Sequence, residues 1–529
     1  MSTLASGLMS STPGVAGSIL VDLIRERSAS FGEQAYIEHA RENRTLSFRD
    51  LDHAVEQWAV TLDSASVDVG STVGLVISDP IDFSVAFLGT IASGRWAAPL
   101  DPSTPTDGAG GLAVATARVR ADIVCADHAG PVGFAIDWVD LGEAASIERG
   151  VVTKPGATNP GKGTSGGAVL ASSGTTGAPK VVPLHQHQLL HTARCVSAHH
   201  ELTSSDRGFN SLPLFHINAE VVGLLASLVA GSCLVLDDRF HRTRFWDVMS
   251  ERRITWINAV PAIVSRLADP HDDEIIPSRI RFIRSASAPL PVATSARFER
   301  NTGIPVLETY GMTEAASQIT ANPVAGPRKP GSVGLPVGVE LRIVAAETPA
   351  GPAPGRVEGE TVGQVEIRGP SVITAYGGDH HRDRIDGDGW LRTGDLGHFD
   401  EDGYLYLDAR VDDVINRGGE KVFPREIEEL ILVDPDVATV AVIGSPDPEL
   451  GQVPEAFVVV RGATDADDDE VVSRVVARIR DHLAGALVRS KRPVSLNVVA
   501  ELPAGATGKV QRRALRDGDV KVIYRLDCR

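Results

Sequence analysis

SSGTTGAPK, residues 172–180, combines hydroxyl groups, two glycines and a lysine within one short stretch. Backbone N–H groups of a turn rich in Gly, Ser and Thr can point at phosphate oxygens. Glycine permits positive φ and close backbone approach, and lysine adds a cation that pairs with phosphate. Apolar runs at 168–171 and 181–182 flank the stretch. We therefore predict a phosphate-binding loop between two strands and call residues 172–180 the phosphate loop.

The spacing of the phosphate loop differs from that of a Walker P-loop, G-x-x-x-x-G-K-[ST]. Pro179 precedes the lysine, and Val181 follows it where the Walker motif has Ser or Thr. A flexible surface loop is the alternative for this stretch taken alone. The residues predicted to hold the phosphates of ATP are Ser172, Ser173, Gly174, Thr175, Thr176, Gly177 and Lys180.

Four further motifs follow the phosphate loop in order. They are TYGMTE (309–314), RTGDL (392–396), ARVDDVINRGGEKVFPREIE (409–428) and ATGKVQRRALR (506–516). This series resembles the adenylate-forming superfamily, which includes acyl-CoA synthetases, aryl-CoA ligases, luciferases and peptide-synthetase adenylation domains. The resemblance covers nearly the whole chain, from roughly residue 20 to residue 516. It implies ATP-dependent activation of an acid as an acyl-adenylate, with release of pyrophosphate.

The length and the pattern of the chain predict two domains of an α/β fold. A chain of 529 residues exceeds the ~250–300 residues that one core supports. Apolar strands alternate with amphipathic helices to residue 319, strands dominate over 331–408, and the last part has its own α+β pattern. With the resemblance, this predicts a large N-terminal ATP- and acid-binding domain, 1–411, made of α/β sheets plus a β-rich subdomain. A smaller mobile C-terminal domain, 412–529, carries the catalytic lysine.

Composition excludes several classes of partner. The net charge of −18 argues against nucleic-acid binding through a basic surface and against docking to an anionic membrane. The longest uncharged apolar stretch, 221–236, is too short to span a bilayer and is predicted as a buried helix, turn and strand. No basic n-region marks a signal peptide. A cytoplasmic location fits the absence of C-x-x-C spacing among Cys125, Cys195, Cys233 and Cys528.

The resemblance assigns roles to the TYGMTE motif and to the upstream SASAPL segment (285–290). It implies that Tyr310 stacks on adenine beside Gly311, that Thr313 contacts the α-phosphate and that Glu314 helps to hold Mg²⁺, a cation that prefers oxygen ligands. The alternative is a core tyrosine and a glutamate at a helix start. SASAPL matches the segment that lines the adenine and acyl pocket, where relatives usually have glycine at the position of Ser287. The pocket residues predicted here are Ser287, Ala288 and Pro289.

RTGDL and the segment that follows it are implied to bind ribose and to form the interdomain hinge. A bidentate contact with the ribose diol suits Asp395, although Gly-Asp is also ordinary turn chemistry. Arg410 resembles the family arginine that contacts ribose or phosphate, and Asp412 falls at the family hinge position. Ala409 stands where relatives usually have glycine.

The C-terminal domain contributes a predicted catalytic lysine and a predicted CoA-binding loop. Lys509 resembles the family lysine that stabilises charge at the α-phosphate as pyrophosphate leaves. Gly418 and Gly419 resemble the loop that lines the pantetheine tunnel, but they also fit a plain hairpin turn. With Lys180, His216 and Thr313, Lys509 completes the set of residues that the resemblance implies to be catalytic.

The substrate is constrained by the segment PLFH (213–216). His216 stands where domains that activate α-amino acids usually have aspartate, so an α-amino acid is disfavoured. The nearest resemblance is to the oxalate–CoA ligase branch, which usually has histidines at the positions of Asn218 and Ser317. Because these two donors for a second carboxylate are missing, we hypothesise from the sequence that a small monoanion is preferred over oxalate.

The sequence therefore predicts an AMP-forming acid–CoA ligase that uses ATP, Mg²⁺ and CoA to activate a small carboxylic acid. One alternative is an adenylating enzyme with another acceptor, such as an amine or a carrier protein, or with an unusual oxyacid such as nitrite in N–N bond formation. A second alternative is a non-catalytic nucleotide-binding protein. Retention of both Lys180 and Lys509 argues against this second alternative.

Overall fold

The computed structural model describes residues 20–104, 111–126, 166–172, 180–345, 347–348, 351–352, 362–377, 382–462, 469–505 and 510–528. Most of the phosphate loop, 173–179, and Lys509 lie outside the described residues. The backbone of Ser172 and the whole of Lys180, at the two ends of the loop, are described.

A five-stranded sheet lies at the start of the chain. Its elements and those around it are α1 (Leu20–Phe31), β1 (Ala35–His39), β2 (Thr45–Ser47), α2 (Phe48–Ser64), β3 (Thr72–Val76), α3 (Pro80–Ala92), β4 (Trp96–Pro99), α4 (Leu112–Val119), β5 (Ile123–Ala126), β6 (Gly167–Ser172) and β7 (Lys180–His185). The strand order is β5-β3-β4-β6-β7. β7 runs antiparallel to β6, with Ser172 opposite Lys180. The prediction that two strands flank the phosphate loop is confirmed.

A second, larger sheet follows. Its first elements are α5 (Gln186–His199), β8 (Arg207–Asn210), a π-helix (Asn218–Leu225), α6 (Ala226–Ala230), β9 (Cys233–Leu236), α7 (Phe245–Glu251), β10 (Trp256–Ala259), α8 (Pro261–Leu267), β11 (Phe282–Ser285), α9 (Val292–Thr302), β12 (Val306–Met312), a 3₁₀ turn (Thr313–Ala315) and β13 (Ser317–Ala321). β8 to β12 pair in parallel in the order β9-β8-β10-β11-β12, and β13 returns antiparallel to β12. The buried helix, turn and strand predicted over 221–236 are confirmed, although the helix begins with π geometry.

Antiparallel strands extend this sheet, as the strand-rich pattern of 331–408 predicts. They are β14 (Ser332–Pro336), β15 (Glu340–Val344), β16 (Glu347–Thr348), β17 (Gly351–Pro352), β18 (Gly363–Arg368), β19 (Leu391–Phe399) and β20 (Leu405–Arg410). β16 and β17 form a separate pair, and the large sheet runs β15-β18-β19-β20-β14-β13-β12-β11-β10-β8-β9-β1-β2.

The C-terminal part builds its own sheet. Its elements are β21 (Ile415–Arg417), β22 (Glu420–Val422), α10 (Pro424–Ile431), β23 (Val437–Asp447), β24 (Gly451–Val460), α11 (Asp469–Ala486), β25 (Ser495–Val499), α12 (Arg512–Asp517) and β26 (Val522–Asp527). The order is β22-β21-β24-β25-β26, with β23 on β24. Proline at the first position of α10 fits a helix start because its missing N–H has no intrahelical partner there.

The two largest hydrophobic clusters of the described residues occupy different parts of the chain. The larger runs from Leu20 to Leu405 in the chain, and the second from Ile415 to Val498. The predicted domain boundary at residues 411 and 412 falls between these two clusters, and a smaller cluster of Val362, Leu396, Val414 and Phe423 takes residues from both sides of it. None of the described helices is long and apolar enough to cross a membrane.

Candidate active site

Two adjoining cavities open where strands β6, β8, β11 and β12 end. Ligands of α/β proteins usually bind at the carboxyl ends of such strands. The lysine cavity, about 470 Å³, is lined by residues that include Lys180, His216, Asn218, Arg284, Thr313 and Glu314. The aromatic cavity, about 180 Å³, is lined by residues that include Ala288, Pro289, Glu308, Tyr310, Asp395 and Arg512. Both share Ser287, Gly311, Met312 and Arg410, so one elongated ligand can occupy the two.

The aromatic cavity brings Tyr310, Asp395 and Arg410 together. The Tyr310 hydroxyl donates to Asp395 Oδ2 at 2.5 Å, and Arg410 Nη1 lies 3.1 Å from Asp395 Oδ1. Burial first, and the Asp395 carboxylate second, raise the pKa of Tyr310 well above its ordinary value. The tyrosine therefore stays neutral and donates, while Asp395 is an acceptor held at the cavity wall.

Glycine is required at two points of this wall. A Cβ at Gly311 would lie 1.7 Å from the carbonyl oxygen of Ser317. Gly394 has φ of +82°, and a Cβ there would lie 3.0 Å from Arg384 Nη2. Strand β12 can thus pass close to β13, and Asp395 can face Arg410, because these two positions lack a side chain.

A buried carboxylate lies at one end of the lysine cavity. Glu314 is 5% exposed, and its Oε1 accepts from the Tyr376 hydroxyl at 3.0 Å. Arg384 Nη1 lies 3.9 Å from the same oxygen. Lys180 Nζ is 5.8 Å from the centre of the Tyr376 ring. Glu314 and Lys180 therefore both lie near one tyrosine, Glu314 at its hydroxyl and Lys180 near its ring.

The half-buried Lys180 has a lowered pKa. Burial is the largest cause and the positive charge of Arg384 the second, while Glu314 opposes both. A cation that is partly removed from water and surrounded by two arginines, Arg384 and Arg410, gains free energy when an anion enters the cavity. This environment suits a phosphate ligand.

Two serines in these walls have left-handed backbone conformations. Ser287 has φ of +75° and Ser317 has φ of +95°. Such values favour glycine, which explains why glycine is the usual residue of relatives at the position of Ser287. Ser287 lines both cavities.

His216 and Asn218 line the lysine cavity near the end of β8. Burial lowers the pKa of His216, opposed by Asp101, so the imidazole is neutral at pH 7. Its Nε2 is buried and makes no hydrogen bond within the described part of the chain. The ring is therefore able to donate to, or accept from, a ligand in the cavity.

Sequence reasoning missed three residues of the lysine cavity and its wall: Arg284, Tyr376 and Arg384. Arg284 lies in the four-residue strand β11, which reads FIRS, and a charged residue in a fully buried strand was the available signal. Tyr376 and Arg384 belong to no recognised motif. They reach Glu314 only through the tertiary fold.

The C-terminal domain meets the aromatic cavity through α10 and α12. Arg512 lines this cavity and donates to Glu428 at 2.7 Å. Arg425 donates to the carbonyl oxygen of Leu407 at 2.8 Å. Arg512 stands three residues after the predicted catalytic Lys509 in the sequence.

Gly418 and Gly419 are not brought to either cavity. They form the two-residue turn between β21 and β22, with φ of +60° and +95°, and the turn is exposed. Gly418 N donates to Leu450 O within the same domain. In this arrangement of the domains they have the hairpin-turn geometry that was the alternative to a CoA contact.

Glu308 in the aromatic cavity is predicted to make stability fall with rising pH. Burial raises the pKa of Glu308 from 4.5 to about 7. Between these values the folded protein retains a proton that the unfolded chain has released, so the free energy of unfolding decreases as pH rises. The decrease is expected to reach about 3 kcal/mol above pH 7.

The matched variant for this prediction is Glu308→Gln, because the amide oxygen can still accept from Leu290 N. Urea unfolding of both proteins at pH 5, 6, 7 and 8 measures the effect. The variant should gain stability relative to the parent protein as pH rises. A difference that is constant across this range would contradict the raised pKa.

The chain belongs to the AMP-binding enzyme family. The family model matches residues 25–377, and the model of the AMP-binding enzyme C-terminal domain matches residues 426–509. The recognised adenylate-forming resemblance and the α/β fold with a smaller C-terminal domain are thereby confirmed.

Relatives in this family are acid–CoA ligases. The chain is 35% identical over 519 residues to the sulfoacetate–CoA ligase of Cupriavidus necator, covering 94% of this chain and 97% of that ligase. It is 33% identical over 498 residues to the oxalate–CoA ligase of Arabidopsis thaliana, covering 88% and 92%. The structure of o-succinylbenzoate–CoA synthetase from Bacillus subtilis with ATP and magnesium superposes with a TM-score of 0.74, at 26% identity, covering 94% and 99%.

Proposed function

We propose that the chain is an AMP-forming acid–CoA ligase that activates a small acid with ATP. The observation that carries this proposal is the joined pair of cavities. One end holds the Tyr310–Asp395–Arg410 group, which suits a nucleoside. The other end holds Lys180, Thr313 and Glu314, which suit phosphate and its metal ion. His216 and Asn218 line the same cavity, where the acid would bind.

The reaction follows from this order of groups. A carboxylate oxygen of the acid attacks the α-phosphorus of ATP, a new P–O bond forms, and pyrophosphate leaves with the electron pair of the broken bond. In our proposal Lys180 and Thr313 stabilise the negative charge at the phosphoryl oxygens. Tyr310 and Asp395 fix the nucleoside, so that the α-phosphate stays within reach of the acid. The CoA thiolate then attacks the acyl carbon, and AMP leaves.

Glu314 is the residue proposed to hold Mg²⁺. A single carboxylate fits this ion, because Mg²⁺ is usually bound by one or two carboxylates together with substrate phosphates. No group of three metal-ligating side chains occurs among the described residues, so an all-protein cage is not the arrangement here. Bound Mg²⁺ would neutralise charge on the phosphates as pyrophosphate leaves.

The predicted domain division also remains a proposal. We assign ATP and acid binding to residues 1–411 and the mobile catalytic lysine to residues 412–529, with rotation about Asp412 between the two half-reactions. Such a rotation would move the exposed turn of Gly418 and Gly419 to the place where the CoA thiol enters the active site.

The four cysteines carry free thiols, which supports a reducing cytoplasmic location.

The proposed function is tested by acid-dependent exchange of labelled pyrophosphate into ATP over a panel of small acids. We expect exchange without CoA, and stoichiometric AMP and thioester when CoA is added. Exchange without thioester would assign another acceptor, such as an amine or a carrier protein. ATP binding without exchange for any acid would favour the non-catalytic alternative.

A further inference from the structure

Arg284 is a buried arginine surrounded by neutral groups. It lies on β11 and is 1% exposed. Its Nη1 donates to Asn218 Oδ1 at 2.8 Å and to Asn258 Oδ1 at 3.0 Å, and its Nε donates to Gln318 Oε1 at 3.3 Å. Within the described ranges no carboxylate forms an ion pair with this guanidinium.

The charge of Arg284 is therefore uncompensated within the described residues. Burial lowers the pKa of Arg284 to about 9, so the side chain is still a cation at pH 7. After burial, the charge of Arg284 is the next cause that lowers the pKa of the nearby His199. Buried charges are normally paired because an unpaired one is strongly unfavourable. None of the described residues supplies the counter-charge, which leaves that role to a ligand in the cavity.

Arg284 has donors to spare on the side of the ligand. It lines the lysine cavity together with Asn218. Its Nη2 donates to no group in the part of the chain that the structure describes, and it is not among the fully enclosed atoms that lack a partner. Asn218 is 7% exposed, and its Nδ2 also lacks a partner among those residues. Arg284 thus keeps unused N–H donors at the place where Asn218, whose own amide nitrogen is enclosed, also lines the cavity.

We propose that Arg284 and Asn218 bind a second anionic group, a sulfonate or a carboxylate, at the end of the substrate opposite the carboxylate that is activated. This inference rests on the proposed function. It replaces the hypothesis of a monoanionic substrate, which considered only the missing histidines at the positions of Asn218 and Ser317. A guanidinium donates charge-assisted hydrogen bonds to such an oxyanion, and the ligand supplies a counter-charge that none of the described residues provides.

The competing explanation is that Arg284 only holds the fold together. Through its three amide partners it connects β10, β13 and the π-helix to β11. In that case its loss would weaken the activation of every acid equally. The two roles are separated by the ratio of activities for two acids that differ in charge at the far end and in little else.

Sulfoacetate and methylsulfonylacetate form such a pair, because a neutral methyl sulfone replaces a sulfonate of similar shape. Malonate and its monomethyl ester form the carboxylate pair, and oxalate and acetate complete the series. We expect the parent protein to prefer one of the dianions over the matched monoanion, whose far end is neutral. The expected preference is about 10- to 100-fold in kcat/KM, measured as pyrophosphate exchange. The pair with the larger ratio of kcat/KM shows whether the second group is a sulfonate or a carboxylate.

In Arg284→Gln this preference should fall to near unity. Arg284→Lys should keep part of the preference because it keeps the charge but loses the planar fork. The control is Arg95→Gln. Arg95 is also buried, but it bonds to the Asp63 carboxylate and the Val67 carbonyl oxygen and does not line either cavity. The preference should therefore not change in this variant.

Equal exchange rates in the parent protein for each dianion and its matched monoanion would overturn the inference while leaving acid activation intact. An equal loss for all acids in Arg284→Gln, with the preference unchanged, would also overturn it in favour of a structural role. If Arg284→Gln does not fold, the comparison in the parent protein and in Arg284→Lys still decides. Absence of exchange with every acid in the parent protein would instead contradict the proposed function.

Discussion

Replacing Lys509 with alanine should abolish acid-dependent pyrophosphate exchange while leaving the conversion of a supplied acyl-adenylate and CoA to thioester intact. We expect a loss of exchange of at least about 10²–10³-fold, the range found when one donor to a developing charge is removed. The reason is that the ammonium is needed only while charge develops at the α-phosphate. Rotation of the C-terminal domain would carry Lys509 away before the thiol attacks.

The control for Lys509 is Lys521→Ala, which removes an exposed lysine of the same domain. Both half-reactions should continue in this variant at the rates of the parent protein. Equal loss of exchange and thioester formation in Lys509→Ala would contradict the rotation model. Arg512, three residues further along, already lines the aromatic cavity, so the described arrangement corresponds to the first half-reaction in our proposal.

The local structure around the motifs could be predicted from the sequence because it depends on short-range patterns. In α10 (Pro424–Ile431), proline fixes the start and apolar residues recur at helical spacing. The strand β3 (Thr72–Val76) coincides with a short apolar run. These elements need only their own residues and a face to bury.

The group around Glu314 could be predicted only in part. The motifs identified Lys180 and Glu314, because each stands in a contiguous pattern. Tyr376 and Arg384 reach Glu314 from segments more than sixty residues later in the chain, and nothing in their local sequence marks them. Contacts of this kind arise from packing between distant segments, which periodicity and turn chemistry do not encode.

The substrate end shows a different limit of sequence reasoning. The absence of histidines at the positions of Asn218 and Ser317 predicts a pocket with few hydrogen-bond donors for a second anionic group. The structure adds Arg284 beside Asn218, on the fully buried strand β11. That no described carboxylate pairs with this buried cation is visible only in the three-dimensional neighbourhood. In our proposal it adds a second negative charge to the expected ligand.

Glu314→Gln is expected to lower pyrophosphate exchange by about 10²–10³-fold and to raise the Mg²⁺ concentration that gives half-maximal activity. Glutamine keeps the shape and can still accept from the Tyr376 hydroxyl, so folding should be preserved, but it removes the charged ligand that Mg²⁺ prefers. Exchange is measured over a Mg²⁺ titration, with thermal unfolding of both proteins as the check on folding.

The matched control for Glu314→Gln is Glu366→Gln. Glu366 is also a buried glutamate, and it pairs with Arg342 on the neighbouring strand of the β-rich subdomain. This variant should lose stability and keep the Mg²⁺ dependence of the parent protein. Normal turnover of Glu314→Gln at limiting Mg²⁺ would show that the carboxylate is structural. In that case its contacts with Tyr376 and Arg384 would only position the wall of the lysine cavity, and the phosphates of ATP would have to hold the metal ion without a carboxylate from this position.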